Sequence, residues 1–312
     1  PIIQFVVGIK QNYADLNLQR WLEDWLEKYG DFFGYSEFQE TATPNFRQSS
    51  PDSQNRKLLE SYLLIELKKK NSSSLQIQGW FWSSQENCYP IQEQDLIKRK
   101  DLPKKLTELI DESNKRMNKI GSQDLRIELF LDTNLLMKSD FYFDWLEVKK
   151  LKRDIKMCKQ YIVTFRLAER LEDEAQDLEG AWQRKWENLN YNQGNVVDFY
   201  HTDEDELGRD ETVGIKLNKL SEPAKFFDLI LLNSLPLAIW SRRDLQTISC
   251  QNEINRILRN VQGNFNQLPK EVTNERKKAA GEEHIGRHIC LLWDNPERMP
   301  PDPSDPKYAL SS

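Results

Sequence analysis

Strand-type runs alternate with helical stripes along most of this chain, and that alternation limits the fold more than any other feature. "YLLIEL" (62–67), "LRIELFL" (125–131), "YIVTFRL" (161–167), "VVDFY" (196–200), "VGIKL" (213–217), "LPLAIW" (235–240) and "HICLLW" (288–293) have the apolar, β-branched or aromatic content of strands. Between them lie apolar residues at helical spacing. Asp101 and then Pro103 open a helix to about Met117 with Leu102, Leu106, Leu109 and Ile110 inward. A long charged helix follows over 169–189, its inner stripe Leu171, Ala175, Leu178, Trp182, Trp186 and Leu189. Further helices are expected over 223–233, 245–261 and 270–283, the last almost all surface. Such alternation predicts an α/β fold with a largely parallel central sheet flanked by helices. "ESYLLIELKKKNSSSLQIQGWFWSS" (60–84) adds an antiparallel hairpin near the N-terminus, because Asn71 and three serines separate two β-rich runs.

With 312 residues, the chain is long enough for one large domain or two small ones. We divide it into residues 1–55, a strand, a helix and a polar loop packed on the main domain, and an α/β domain over 56–312. Charged residues make up 30% and hydrophobic ones 38%, with a mean hydropathy of -0.74, so a highly charged soluble particle is expected. Forty-four basic residues against 50 acidic ones give a net charge of -6, which argues against a surface devoted to nucleic acid. Cys88, Cys158, Cys250 and Cys290 are widely spaced, as buried thiols of a reducing compartment would be. There is no apolar run of about 20 residues and no signal-type N-terminus. The expected location is therefore cytoplasmic, and the Pro1 start is read as that of a segment excised from something longer.

Few residues lend themselves to chemistry. His284, His288 and Cys290 form H-x-x-x-H-x-C, a zinc-compatible set at poor spacing, for which a structural role is the better reading. His201 precedes the acidic run "TDEDE", most simply a solvated loop. The glycine-rich phosphate loops and the G-x-S-x-G elbow are absent, so no nucleotide or other cofactor is expected. Glu66 and Lys68 lie on one strand face as E-x-K, and with Asp52 they could serve a metal-dependent nuclease. Charges also commonly decorate edge strands, which is the plainer explanation. The basic run "EVKKLKRDIKMCK" (147–159) lacks interleaved aromatics and reads as a solvated helix or loop face. Trp240, Arg242 and Arg243 end a strand, where α/β folds place their ligand crevice; an ion pair of either arginine with Asp244 or a nearby helix is an equal alternative.

The last strand runs into a stiff segment. Trp293 and Asp294 are followed by Pro296, Pro300, Pro301, Pro303 and Pro306, five prolines in eleven residues that hold the backbone extended. Two uses fit equally: a preorganised partner-binding arm, or a belt packed back over its own domain. Asp294 and Arg298 could equally pair locally.

"LRIELFLDTNLL", "YIVTFRLAERLED" with the paired Trp182 and Trp186, "LPLAIWSRRD" and "GRHICLLWDNPERMPPD" resemble, in order and spacing, the C-terminal domain of vWA-MoxR-associated proteins. The resemblance covers roughly the whole chain, and the terminal Leu-Leu-Trp-Asp motif is its most specific part. It implies a component of bacterial NTP-dependent conflict systems that works with a MoxR-type AAA+ ATPase and a vWA-domain protein. It also implies an effector, such as a protease or a death-domain-like module, fused N-terminally or associated. No catalytic residues come with the resemblance. The expected function is thus a non-catalytic adaptor whose candidate partner-binding residues are Trp240, Arg242, Arg243, Trp293, Asp294 and Arg298; the alternative is a nuclease using Glu66 and Lys68.

Overall fold

The computed structural model describes residues 59–301, apart from 86, 139–141, 151–152, 173–177, 192, 247 and 262–263. The chain divides into the units Pro1–Lys57 and Leu58–Ser312, and the described residues belong to the second. The strand and helix expected before residue 55, as well as Asp52, Pro303 and Pro306, lie outside them.

The 60–84 segment is the expected hairpin, β1 (Ser61–Lys69) and β2 (Ser74–Ser83), paired antiparallel with Glu66 opposite Gln78. The Asn71 side chain accepts from the backbone N–H groups of Ser73 and Ser74, which fixes the tip. The chain returns as β3 (Asn87–Lys98), an edge strand that tolerates Pro90 because one side of its ladder is unpaired. A 3-10 turn at Arg99–Asp101 leads into α1 (Leu102–Ile120), which ends at Gly121 in the left-handed region (φ 73°), where a side chain would be strained. Leu102, Leu106, Leu109, Ile110 and Met117 of α1 are buried against the sheet, each worth roughly 1.5–3 kcal/mol.

After this crossover, β4 (Leu125–Leu131) lies parallel to β1, and β7 (Ile162–Leu167) lies parallel to β4. Between them comes a small separate hairpin, β5 (Glu147–Lys150) and β6 (Arg153–Lys156). The basic 147–159 run is therefore mostly strand, because Val148 is buried opposite Ile155 while its charged neighbours stay outside. The helix expected over 169–189 is not continuous. A 3-10 turn takes Ala168–Leu171, Glu172 is extended, and α2 covers only Glu179–Asn190. In that turn Glu169 accepts from Thr133 N–H and Arg170 donates to Asp294.

The second half contributes β8 (Asn195–Asp198), β9 (Thr212–Leu217), α3 (Pro223–Leu232), β10 (Leu237–Ser241), α4 (Cys250–Asn260), α5 (Leu268–Lys278) and β11 (Ile289–Trp293). Ser249 caps α4 by accepting from Asn252 N–H, so that helix starts later than its apolar spacing suggested. Contrary to the surface helix expected over 270–283, α5 buries Leu268, Val272, Thr273, Glu275 and Arg276.

The nine-stranded sheet has the order β3-β2-β1-β4-β7-β11-β10-β9-β8. The expected mixed, largely parallel α/β architecture is borne out, with one addition: β11 inserts between β7 and β10, parallel to the first and antiparallel to the second. The carboxyl end of β11 therefore lies beside the start of β10. One face of the sheet packs on α1 and α3. The other packs on α2, α4 and α5 beneath β9 to β11, while under β1, β2 and β4 a smaller cluster of Tyr62, Leu64, Trp80 and Phe130 includes Met299 at its margin.

Candidate functional site

The segment after β11 does not leave the domain as far as it is described. Asp294, Asn295 and Arg298 are buried, and the chain from 294 to 299 crosses the second face of β7, β4 and β1 as a strap. An ion cluster holds it there. Arg166 of β7 donates through Nε to Asp294 Oδ1 (3.0 Å) and through Nη1 to Glu128 Oε2 of β4 (3.0 Å) and to the Arg298 carbonyl. Arg170, just past β7, reaches Asp294 Oδ2 at 3.1 Å. Arg298 closes the ring on Glu128 Oε1 at 2.6 Å, its guanidinium 3.9 Å from the centre of the Tyr62 ring. The indole of Trp182 in α2 donates to the Asp294 carbonyl (2.8 Å) and lies 4.6 Å from the Arg170 guanidinium.

Three guanidinium groups thus meet two carboxylates, and all five side chains are at most 9% exposed. Each charge has lost several kcal/mol of hydration, which mutual pairing and the guanidinium bonds to backbone carbonyls offset. Burial lowers the Arg170 pKa against the opposing pull of Asp294. For Arg298 burial acts in the same sense, but Glu128, followed by Tyr62, outweighs it and the net shift is upward. Burial raises the Tyr62 phenol to about 12, so it stays protonated under the Arg298 fork.

A second cluster sits at the opposite end of β11, six residues and about 20 Å away at strand rise. Asp144 binds Arg242 Nη2 at 2.6 Å and pairs with Arg276 Nη2 at 3.2 Å. Arg276 also donates to the Val163 and Ile289 carbonyls, tying α5 to the starts of β7 and β11. Arg242 lies over the Tyr142 ring at 4.6 Å. Tyr142 Oη is 2.8 Å from His288 Nδ1, and His288 Nε2 is 2.6 Å from the Glu282 carbonyl. A carbonyl only accepts, so Nε2 carries the proton and Nδ1 accepts from the phenol. Burial lowers the His288 pKa and keeps this neutral form. It also raises Cys158 and Cys290 to about 12, which leaves both as thiols.

The six candidate partner-binding residues therefore fall into two groups. Trp240, Arg242 and Arg243 lie at the carboxyl end of β10, and Trp293, Asp294 and Arg298 at and beyond the carboxyl end of its antiparallel neighbour β11, so the two groups sit at opposite ends of the strands. Five are buried. Trp240 packs on Phe226 and Phe227 of α3, and Trp293 stacks edge-on against Trp186. Arg243 is 45% exposed, donating to the Glu282 carbonyl and lying near the Glu283 carboxylate. Its neighbour Asp244 instead pairs with Lys219.

Glu66 and Lys68 do share a face, as their spacing required, and they neutralise each other at 3.0 Å. Burial depresses the Lys68 pKa, but the Glu66 bond and charge carry it above its ordinary value. His201 pairs with Asp198 in solvent, and His284 Nδ1 accepts from Gly286 N–H, capping the Ile285–His288 turn. Among the described residues no group of three or more His, Cys, Asp or Glu is placed to hold a metal ion. Nor is any described helix long and apolar enough to cross a membrane. Sequence reasoning missed Glu128, Arg166, Asp144 and Arg276. The signal for the first two was present: Glu128 in "LRIELFL" and Arg166 in "YIVTFRL" are charges with apolar residues on both sides inside strands.

No curated protein and no solved structure matches the chain. A family model does, that of the vWA-MoxR associated protein C-terminal domain, over residues 74–296. The matched span includes Glu128, Arg166, Arg170 and Asp294 of the strap cluster and all of the Asp144–Arg242–Arg276 cluster, and it stops two residues short of Arg298. It covers more than two thirds of the 312 residues, and the chain belongs to the vWA-MoxR-associated protein C-terminal domain family.

Proposed function

We propose that this domain is a non-catalytic adaptor, which passes the state of a MoxR-type AAA+ ATPase and a vWA-domain protein to an effector of a bacterial conflict system. The effector, in this reading a protease-type module, is fused N-terminally or bound separately. Family membership supports the two partners, since the family is described by its association with vWA and MoxR proteins. The observation that carries the relay is the strap cluster: residues 294–298 are held on β4 and β7 mainly by charge-assisted bonds. Charge-assisted contacts can be exchanged for those of a partner or of water, whereas an apolar core cannot be reopened without exposing its surface. The adaptor reading is also favoured by the engagement of the reactive side chains: Cys158 and Cys290 stay protonated, His288 is bonded at both nitrogens, and Glu66 is paired with Lys68.

The test is co-purification of the tagged chain with the MoxR-type ATPase and the vWA protein of its own source, with and without a non-hydrolysable ATP analogue. Nucleotide-dependent retention of either is expected. If neither is retained and the purified chain cleaves DNA in Mg²⁺, the adaptor reading falls and Glu66 becomes the residue to substitute.

A further inference from the structure

Residues 294–299 are bound to the domain as a short peptide would be. The Asn295 side chain accepts from Glu297 N–H at 2.8 Å and its carbonyl accepts from Arg298 N–H at 3.3 Å, with Pro296 between, so the segment is a turn that has little freedom to lose. The turn presents the Asp294 carboxylate and, four positions on, the Arg298 guanidinium to the sheet, while Glu297 stays exposed. Its polar groups meet partners on the framework. Arg166 and Arg170 take the carboxylate, and Glu128 takes the guanidinium over the Tyr62 ring. Trp182 Nε1 donates to the Asp294 carbonyl, Arg166 Nη2 to that of Asn295 and Arg166 Nη1 to that of Arg298. The receptor is itself held: Tyr62 Oη accepts from Arg126 Nη1 at 2.9 Å and donates to Glu60 at 3.1 Å. Apolar contact with the Tyr62 cluster is left to Met299 at its margin.

We infer that the strap stands in for a segment of a partner protein, one that carries an acidic residue, a proline turn and an arginine four positions after the acid. This deepens the adaptor reading and rests on it, because there the strap is the exchangeable element. The arginine is required as much as the acid. A segment with the acid alone would leave Glu128 Oε1, buried, without the Nε and Nη2 donors of Arg298. One with the arginine alone would leave Arg166 Nε and Arg170 Nε without the carboxylate that both use. A tethered strap competes at an effective concentration on the order of millimolar, so the site stays closed to weak ligands and opens to a segment whose protein makes further contacts. Arg298, once released, is left for another carboxylate of the same partner.

The experiment titrates the full chain, as parent and as Arg298→Gln, against a peptide of residues 294–301 labelled at its carboxyl end and followed by fluorescence polarisation. The chain variant loosens its own strap and leaves the framework residues in place. Saturable binding is expected, at least about tenfold tighter to Arg298→Gln than to the parent. Asp294→Asn or Arg298→Gln within the peptide should each weaken it about tenfold or more, and Glu297→Gln, at the exposed position, should leave it unchanged. Hydrogen exchange of the parent with excess peptide gives a reading that needs no variant: the amides of 294–299 should exchange faster. The inference is overturned by absence of saturable binding together with unchanged exchange, or by equal affinity of all four peptides. It is also overturned if the parent alone dimerises in sedimentation and the peptide dissolves the dimer, which would make the occupant a second copy. Co-purification of the ATPase or vWA protein without peptide binding sinks this inference and keeps the adaptor reading; peptide binding with neither protein retained keeps the receptor site and removes the adaptor.

Discussion

Replacing Asp294 with asparagine tests the strap cluster directly. The carboxylate is fully buried and accepts from Nε of Arg166 and Nε of Arg170 on its two oxygens, at 3.0 and 3.1 Å. Asparagine preserves the shape but offers one acceptor, and its amide N–H₂ then faces a guanidinium N–H, donor against donor. Three guanidinium groups would also be left with Glu128 as their single carboxylate partner within the cluster. Removing one member of a buried ion pair costs about 3–5 kcal/mol, a large part of the roughly 5–15 kcal/mol that keeps a domain folded. For a domain of this size about 4 kcal/mol lowers Tm by about 10 °C. The assay is equilibrium urea unfolding followed by tryptophan fluorescence, read as a fall in midpoint at unchanged slope. Adding Arg170→Met to Asp294→Asn removes one surplus charge and should recover about 1–3 kcal/mol relative to the sum of the single changes. A loss below about 1 kcal/mol for Asp294→Asn, or strict additivity in the double variant, would refute the view that these residues act as one charge-balanced unit.

Three further outcomes follow from the buried groups. Because burial holds His288 below its ordinary value, the unfolded chain takes up the proton first as pH falls below about 6.5. Stability should therefore drop between pH 7 and 5, and His288→Gln should flatten that part of the profile in urea midpoints. Lys185 is pushed by burial down to about 8 while its Nζ donates to the Leu207 carbonyl at 2.6 Å. Between pH 8 and about 10.5 the unfolded state binds more protons, so this residue makes stability rise with pH, and Lys185→Met should remove that rise. At Gly286 an added Cβ would meet the Glu275 carbonyl oxygen at 2.1 Å, where backbone and not a flexible side chain is in the way. Gly286→Ala should destabilise by about 1–3 kcal/mol or more in the same unfolding assay.

Legibility in the sequence followed the strength of the apolar period. The hairpin of β1 and β2, α1, β4, β7 and the last strand were all readable, since their alternation or helical spacing reflects real burial. The edge strand β3 was not, because "NCYPIQEQDLIK" is held by backbone pairing to β2 while many of its side chains face solvent. The β5–β6 hairpin hid behind its charges, with Val148 and Ile155 as its apolar pair. In α5 the apolar count was misleading: Arg276 is fully buried because two backbone carbonyls and Asp144 receive its guanidinium. Asp294 and Arg298 were singled out from the sequence, and their local pairing was one of the readings offered. Their partners Glu128 and Arg166 were passed over, because pattern reading treats a charge in a strand as solvent-facing. The placement of β11 is a long-range property: nothing in "HICLLW" says that it pairs antiparallel with β10, and so nothing there separates Arg242 from Asp294.

That insertion gives the two clusters a common element. β11 begins at the Asp144–Arg242–Arg276 cluster, where Arg276 holds its Ile289 carbonyl, and ends at Asp294 in the strap cluster. Its five residues are fully buried between β7 and β10, so the strand cannot shift at one end without repacking at the other. Apolar residues of similar volume would stabilise such a centre as well or better, because buried ion pairs roughly break even against their lost hydration. What ion pairs add is discreteness: a guanidinium–carboxylate fork is either made or broken. In the adaptor reading the strap is then the element a partner can displace, carboxylates on that partner taking over Arg166 and Arg298 while Met299 leaves the margin of the Tyr62 cluster. Each cluster pairs one more guanidinium than it has carboxylates, and in the adaptor reading that surplus is what a partner's carboxylate would meet at either end of β11.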